Sequence, residues 1–202
     1  VLAQALFPLL ADDEDTAITE AQAAVDGFRP AYAQAWEAGI LAKLGLAVAE
    51  SDRTDGDMAA DMDLARDLLV VMAEGAADFT LSFRRLSGLA RLPDEAADRF
   101  FLDLFTDRNA ASAWLARWRG RLSTDPRPDG ERHAAMQAVN PVYIPRNHRV
   151  EEALAAATEG LMTPFETLLD VLSAPFEARE KYLEFENPPK PEEVVQQTFC
   201  GT

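Results

Sequence analysis

The stretch AVNPVYIPRNH (residues 138–148) decides the fold, because it interrupts a chain whose pattern is helical almost throughout. Pro141 and Pro145 confine the backbone around them to extended and turn conformations. The three residues between the prolines are apolar enough to be buried, and a polar Arg-Asn-His sequence follows. A catalytic loop, a ligand-binding loop and a structural joint all fit this pattern. We favour a rigid joint that Tyr143 and Ile144 anchor in the core.

Most of the remaining sequence predicts α-helices. Alanine and leucine dominate, and no apolar alternation of strand length is present. Residues 58–75 and 114–122 each place an apolar stripe on one helical face, the second with two tryptophans. A long helix is predicted from a cap at Thr16 to about Leu46, with an interruption near Gly27–Pro30. The predicted fold is therefore all-α, an irregular bundle of about eight helices.

Helix starts are marked by capping residues. Asp78 is predicted to cap one helix, Pro93 and the following aspartate to open the next, and Asn147 to cap a helix that ends at Gly160. The sequence TPFE at 163–166 combines an N-cap threonine, an early proline and a glutamate three residues after the cap. This combination predicts a capping box at the start of a further helix.

The chain divides by composition into a helical domain over residues 1–186 and a Pro-rich tail over 187–202. The tail is expected to be extended, and it carries Cys200 near its end. Val1 lies within an apolar helical pattern and no initiator methionine precedes it. We therefore expect the chain to be a fragment of a longer protein.

Composition limits the function classes. The chain has 202 residues with 48% hydrophobic and 27% charged content, as in a globular protein with a substantial core. The net charge of −16 argues against nucleic-acid binding. No apolar run approaches the roughly 18–20 residues of a membrane-spanning helix, so no membrane association is expected. A single cysteine excludes an internal disulfide and a cysteine-based zinc site, and indicates a cytoplasmic location.

Residues 108–150 form a basic belt on this acidic chain, with eight arginines against three acidic residues. The belt fits docking on acidic helices of the same chain, or binding of a phosphate-bearing ligand or an acidic partner domain. Tryptophans interleaved with arginines also suit base stacking, although tryptophans four apart on a helix favour a core position. The candidate docking residues are Arg117, Arg119, Arg121, Arg146 and His148.

Other motifs predict no catalytic residue and no metal ligand. The DFT sequence at 78–80 resembles a metal-binding Asp-Phe-Gly but lacks the glycine, and SDRTDGD at 51–57 fails the calcium-loop spacing. His133 and His148 have no second histidine or cysteine nearby. Arg84 and Arg85 suit pairing with a buried carboxylate or capping of carbonyl groups, and a phosphate role stays open although their spacing gives it no support.

Four segments together resemble one family. They are ADFTLSFRRLS (77–87), NPVYIPRNHRVEEAL (140–154), TPFETLLDVLSAPF (163–176) and QTFCGT (197–202). They are similar to the C-terminal part of selenoprotein O proteins, the YdiU-like family, and the resemblance extends over essentially the whole chain. Cys200 lies third from the end, where some members of the family carry selenocysteine.

The resemblance implies a pseudokinase, a kinase-like fold that transfers AMP from ATP to protein hydroxyl groups with Mg²⁺ or Mn²⁺. It implies that the nucleotide and metal sites lie in an N-terminal kinase-like domain, since none of their motifs is present here. This chain is then expected to need no cofactor itself, to contact that domain and to carry a redox thiol at Cys200. Arg146 and His148 are expected to face the same domain. A non-enzymatic helical interaction module remains the alternative.

Overall fold

Helices account for the regular structure of this chain in a computed structural model, which describes residues 2–46, 55–91 and 95–197. These ranges contain no β-strand, so the prediction of an all-α fold is confirmed. No helix within them is long and apolar enough to cross a membrane. The described α-helices are α1 (Leu2–Leu10), α2 (Glu14–Lys43), α3 (Asp55–Glu74), α4 (Phe79–Leu89), α5 (Glu95–Leu102), α6 (Arg108–Leu122), α7 (Asp129–Val139), α8 (Asn147–Thr158) and α9 (Thr163–Ser173), followed by 3-10 helices at Glu180–Glu186 and Pro191–Glu193.

Residues 1–40 and 41–202 form two compact units. The first contains α1 and most of α2. The prediction that Thr16 caps α2 is wrong, because the helix begins at Glu14 and Asp13 accepts a 2.9 Å hydrogen bond from the Thr16 amide. Both residue types are good N-caps, and the carboxylate one turn earlier takes the position.

The predicted interruption near Gly27–Pro30 is also wrong, since α2 runs through both residues without a break. Pro30 removes one amide donor from the helix, but its fixed φ is compatible with helical geometry. The turns on either side continue the hydrogen-bond ladder over 30 residues, so a single missing bond does not end the helix.

Two tryptophans of α6 fix the second unit by hydrogen bonds as well as by packing. Trp114 Nε1 donates to Leu64 O and Trp118 Nε1 donates to Leu44 O, both at 2.9 Å. The two rings are nearly parallel, with centroids 6.2 Å apart, and both side chains are buried. This arrangement supports the core interpretation and leaves neither ring available to stack a base.

Asp78 caps α4 as predicted, accepting a 2.8 Å hydrogen bond from the Leu81 amide. The predicted opening of α5 at Pro93 lies outside the described residues. Phe101 of α5 and Phe105 beyond its end are both buried, with ring centroids 5.0 Å apart. The helix that carries Phe101 contacts both α4 and α6.

The capping predictions for α8 and α9 are wrong at their starts. Asn147 is the first residue of α8, behind Arg146, and its side chain makes no capping hydrogen bond. Thr163 is likewise the first residue of α9, behind Met162, and the predicted capping box does not form. A residue with helical backbone angles no longer directs its side chain at the amides of the first turn.

The predicted end of α8 near Gly160 is confirmed. Gly160 has φ 85°, its amide donates to Ala157 O, and the next amide donates to Ala156 O. This is a Schellman motif, which requires a left-handed residue at the glycine position.

Gly45 provides a test of the same geometry at the end of α2. It has φ 71°, and a Cβ atom there would lie 2.6 Å from Met136 Sδ and 3.0 Å from Arg132 Cγ. We expect Gly45→Ala to lower the free energy of unfolding by about 1–3 kcal/mol, because strain and crowding add. Urea unfolding followed by circular dichroism measures the change.

Gly120→Ala is the matched control. Gly120 lies within α6, and a Cβ atom there would meet nothing within 4 Å. Alanine has the higher helix propensity, so this variant should be more stable than the wild type by up to about 1 kcal/mol. Equal effects of the two substitutions would contradict the assigned role of Gly45.

Candidate functional site

The joint at 138–148 is attached through its backbone amides to the segment that follows α9. The amides of Val142 and Tyr143 both donate to the carbonyl oxygen of Pro175, at 2.7 and 3.1 Å. Tyr143 is 1% exposed, and its hydroxyl donates to Arg179 O and accepts from Arg179 N. Tyr143 is therefore the core anchor that the sequence predicts, whereas Ile144 is only half-buried.

Arg146 connects the joint to two distant segments. Its guanidinium donates to both carboxylate oxygens of Asp78, at 2.8 and 3.1 Å, and to the main-chain oxygen of Glu186 at 2.8 Å. The Arg146 side chain is 6% exposed and that of Asp78 is 20% exposed. One buried cation thus ties the start of α4 to the start of α8 and to the C-terminal segment.

The contacts of Asp78 determine its titration. Burial alone would raise the pKa of the Asp78 carboxyl, but hydrogen bonds from Arg146 and from the Leu81 amide favour the charged form. Their combined effect is larger, so the pKa of Asp78 is lowered. Asp78 therefore serves as the cap of α4 and as the counterion of Arg146.

Asn140 is the second polar centre of the joint and is fully buried. Its side-chain amide donates to Lys43 O at 2.9 Å and to Ser87 Oγ at 3.0 Å. Its main-chain oxygen accepts from Arg84 at 3.1 Å, and Lys43 Nζ donates to Val139 O at 2.9 Å. The network joins the end of α2, the middle of α4 and the end of α7, and its role is structural.

His133 belongs to the same network. Its Nδ1 atom lies 2.7 Å from the main-chain oxygen of Ser87. A carbonyl oxygen only accepts, so Nδ1 carries the proton in this contact. The ring is 9% exposed and is occupied by this structural bond.

The three arginines of α6 that we single out as docking residues all pair with carboxylates of the same chain. Arg117 meets Asp67 at 2.7 Å, Arg119 meets Asp98 at 2.6 Å, and Arg121 meets Asp61 at 2.6 Å. Asp61 is fully buried, and its hydrogen bond raises the pKa of Arg121. These three arginines thus pair with aspartates of α3 and α5 in the same chain. Contact with an upstream domain stays a prediction.

His148 lies beside Arg146 at the mouth of a cavity of about 290 Å³, which the joint shares with Pro189 and Val194. Its buried Nδ1 has no hydrogen-bond partner among the described residues. Burial lowers the pKa of His148, and the neighbouring Arg149 lowers it further. The lowered pKa favours the neutral form of the ring, which suits a packing role.

Cys200, the redox candidate, lies outside the described residues. Within those residues, no group of three or more histidine, cysteine, aspartate or glutamate side chains is arranged to hold a metal ion. The structure brings Arg146 and His148 together in the joint but places Arg117, Arg119 and Arg121 on α6. The docking candidates therefore do not form one cluster.

Sequence reasoning missed the residues that hold the joint from a distance. Asn140 and Lys43 are 97 residues apart, and Asp78 and Arg146 are 68 apart. The one signal in the sequence is that Asn140 directly precedes Pro141, a position at which the backbone is disfavoured from continuing α7. That signal indicates a helix end but does not identify the partner.

The double role of Asp78 gives a stability prediction. We expect Asp78→Asn to lower the free energy of unfolding by about 2 kcal/mol near pH 7, because asparagine keeps the cap but leaves Arg146 without a counterion. The pKa of Asp78 is depressed in the folded protein, so its contribution is present above the unfolded value of about 3.9. It is lost as the pH falls through the folded value. Denaturant unfolding from about pH 7 to about pH 2 measures this loss.

Asp107→Asn is the control for the capping contribution. Asp107 caps α6 through the amides of Asn109 and Ala110, and no arginine of the described residues pairs with it. Its substitution should change stability by less than about 0.5 kcal/mol, since asparagine and aspartate are comparable caps. Two results would contradict the role of Arg146. One is an equal loss of unfolding free energy in Asp78→Asn and Asp107→Asn, and the other is a loss in Asp78→Asn, relative to the wild type, that does not change with pH.

Comparison with known proteins identifies the family. The family model described as Protein adenylyltransferase SelO matches residues 1–173. A curated Protein nucleotidyltransferase YdiU from Rhizobium etli is 45% identical over 202 residues. Proteins of the same name from Rhodopseudomonas palustris and a Bradyrhizobium species are each 46% identical over the same length.

These matches cover 100% of this chain but only 38% or 39% of each relative, so the chain spans about two fifths of their length. The resemblance seen in the four sequence segments is thereby confirmed. The chain belongs to the SelO family.

Proposed function

We propose that this chain is the helical C-terminal region of a cytoplasmic protein adenylyltransferase, which transfers AMP from ATP to serine, threonine or tyrosine hydroxyl groups of other proteins. The match to the SelO family model carries this proposal. The catalytic centre, with its kinase-like fold, ATP and Mg²⁺ or Mn²⁺, is assigned to the upstream part that makes up most of each relative's length. The donor groups of the described residues fit no metal site, so no catalytic step is assigned to them.

The role assigned to this chain is to support the upstream domain. One face of α2 offers a surface for that contact, since Val25, Phe28 and Tyr32 recur at helical spacing and are 58%, 69% and 60% exposed. Phe28 and Tyr32 stack with centroids 6.0 Å apart. An exposed aromatic stripe of this kind suits a protein partner, and the upstream domain of the same protein is the occupant that we propose.

The basic belt contributes less to this contact than its composition indicates. Arg119 and Arg121 are committed to partly buried ion pairs with Asp98 and Asp61. The Arg117 side chain is 57% exposed despite its pair with Asp67, so it is the member of the α6 trio that can also meet a partner. A docking test therefore starts from Arg117 and leaves the internal pairs intact.

Transfer of label from ATP carrying a labelled α-phosphate tests the proposed function. We expect the complete protein, with Mg²⁺ or Mn²⁺ and a mixed protein substrate, to label protein hydroxyl groups. This chain alone should give no label, because it carries no nucleotide-binding motif. Labelling by this chain alone would contradict the assignment of the catalytic centre. No labelling by the complete protein would favour a non-enzymatic interaction module.

A second comparison tests the supporting role. The double substitution Phe28→Ser and Tyr32→Ser in the complete protein removes the exposed aromatic stripe. It should therefore reduce the labelling of protein substrates or the thermal stability of the complete protein. Arg117→Glu should have a smaller effect of the same sign. Leu169→Ser is the matched control, since Leu169 is 62% exposed but lies on α9 and not on the stripe. Equal effects of the stripe variant and the control would contradict docking through α2.

The thiol at Cys200 is proposed as the redox-linked group of the complete protein. It is the only cysteine of this chain, so a disulfide requires a second thiol in the upstream part or in another molecule. Oxidised glutathione can take up the two electrons and two protons released when that disulfide forms. After incubation of the complete protein with oxidised glutathione, peptide mapping should find Cys200 in a disulfide. The Cys200→Ser variant should lack that disulfide. A fully reduced Cys200 would contradict the role.

A further inference from the structure

A second cavity, of about 470 Å³, lies between α4, α5, the end of α7 and the 3-10 helix Glu180–Glu186. All of these elements belong to the second unit and to the described residues. The joint borders this cavity through Arg84, which donates to Asn140 O, and through the main-chain oxygen of Glu186, which accepts from Arg146. The proposed support of an upstream domain does not use the cavity. The residues that matter for its chemistry are Arg84, Arg85, Phe100, Leu183 and Glu186.

The two arginines of this cavity differ from those of the basic belt. Arg84 and Arg85 are half-buried, yet neither lies within ion-pair distance of a carboxylate in the described parts of the chain. Half-buried arginines elsewhere, such as Arg119 and Arg121, each hold an aspartate. Two adjacent cations are thus partly desolvated with no carboxylate in direct contact among the described residues, which is unfavourable unless an anion joins them.

Only part of the donor capacity of each guanidinium is used. Arg84 donates from one terminal nitrogen to the main-chain oxygens of Gln137 and Asn140, at 3.3 and 3.1 Å. Arg85 donates from one terminal nitrogen to Phe100 O at 2.5 Å, and its buried Nε has no partner among the described residues. Each guanidinium carries five N–H donors, so several remain for a ligand.

Glu186 lines the same cavity but does not neutralise the arginines. Burial raises the pKa of its carboxyl, and the charges of Arg84 and Arg85 oppose that rise. The Glu186 carboxylate does not come within ion-pair distance of Arg84 or Arg85, so it compensates their positive charge only in part. Asp103 and Asp78 also act on Arg85 through their charges, but neither forms an ion pair with it among the described residues. The guanidinium groups therefore keep free positions for direct contact with an anion.

The other side of the cavity is apolar. Phe100 and Leu183 are each 57% exposed at its edge. The Arg85 guanidinium lies 3.5 Å from the centroid of the Phe100 ring, a cation–π contact that holds the two cavity-lining side chains together. A ligand that fits this surface carries negative charge at one end and an apolar group at the other.

We propose that this cavity binds a phosphate monoester of a small organic molecule, with its phosphate oxygens on Arg84 and Arg85 and its organic part against Phe100 and Leu183. A phosphate monoester carries close to two negative charges at neutral pH and matches two guanidinium groups, whereas a carboxylate carries one. A cavity of about 470 Å³ is also larger than a bare phosphate requires. Binding is expected of the 202-residue chain whether or not AMP transfer takes place upstream.

Isothermal titration of the chain with phenyl phosphate tests the proposal. Inorganic phosphate and phenylacetate are the reference ligands, since each keeps only one half of the recognition. Phenyl phosphate should bind at least about tenfold more tightly than either. Phenylacetate binding as tightly as phenyl phosphate, or the absence of measurable phenyl phosphate binding at millimolar concentration, would overturn the proposal.

Two variants with opposite expected effects locate the binding. Arg85→Met should weaken phenyl phosphate binding about tenfold or more, because one of the two charges is lost. Glu186→Gln should tighten it several-fold, because the competing carboxylate is removed while its main-chain oxygen still holds Arg146. A folding defect weakens binding in both variants, so the increase at Glu186→Gln separates a local site from a general loss.

Arg117→Met and Glu184→Gln are the matched controls. Both residues are exposed and neither lines the cavity. Their substitution removes the same charges from the molecule and should leave the affinity for phenyl phosphate unchanged. If the controls shift the affinity as much as Arg85→Met and Glu186→Gln do, the effect is one of net charge and the proposed site is wrong.

Discussion

The buried ion pair between Arg146 and Asp78 determines how the second unit holds together. It brings the start of α4, the start of α8 and the C-terminal segment to one point, although these segments are far apart in the chain. A buried guanidinium stabilises a fold only when nearly all of its charge is matched by acceptors. Asp78 supplies two of these and the Glu186 carbonyl a third, so the positions of the three segments depend on one another. Arg119 and Arg121 of α6 follow the same rule, since each is partly buried and meets an aspartate of a neighbouring helix.

Local chemistry predicts those parts of the fold in which a single residue carries the information. A glycine with positive φ ends α8, an aspartate caps α4, and two tryptophans at helical spacing enter the core. Where two residues near the start of a helix could both act as its N-cap, the local sequence does not show which of them does. Asp13 and Thr16 are both good caps, and the outcome depends on where the ladder of α2 closes. Pro30 remains within α2 because the helix on both sides is long enough to tolerate one missing bond.

The polar core of the joint could not be predicted from sequence, because its partners come from distant positions. Nothing near Asn140 indicates that Lys43 and Ser87 complete its hydrogen bonds. The basic belt was visible as a charge excess, but composition does not distinguish arginines that pair internally from arginines that face a partner. Arg84 and Arg85 show the limit most clearly, since the absence of an ion-pair partner for either within the described ranges is a property of the fold and not of their spacing.

The contact between Arg146 and the C-terminal segment uses a main-chain oxygen, that of Glu186, and not a side chain. Every residue type offers that acceptor, so position 186 is free to diverge while the segment stays attached. Positions 146 and 78 have no such freedom, because their contact depends on a matched pair of side-chain charges. Substitutions are therefore constrained at positions 78 and 146, whose side chains form the ion pair, and tolerated at position 186, which contributes its main-chain oxygen. A side chain at 186 is thereby available to acquire a separate task without loosening the fold.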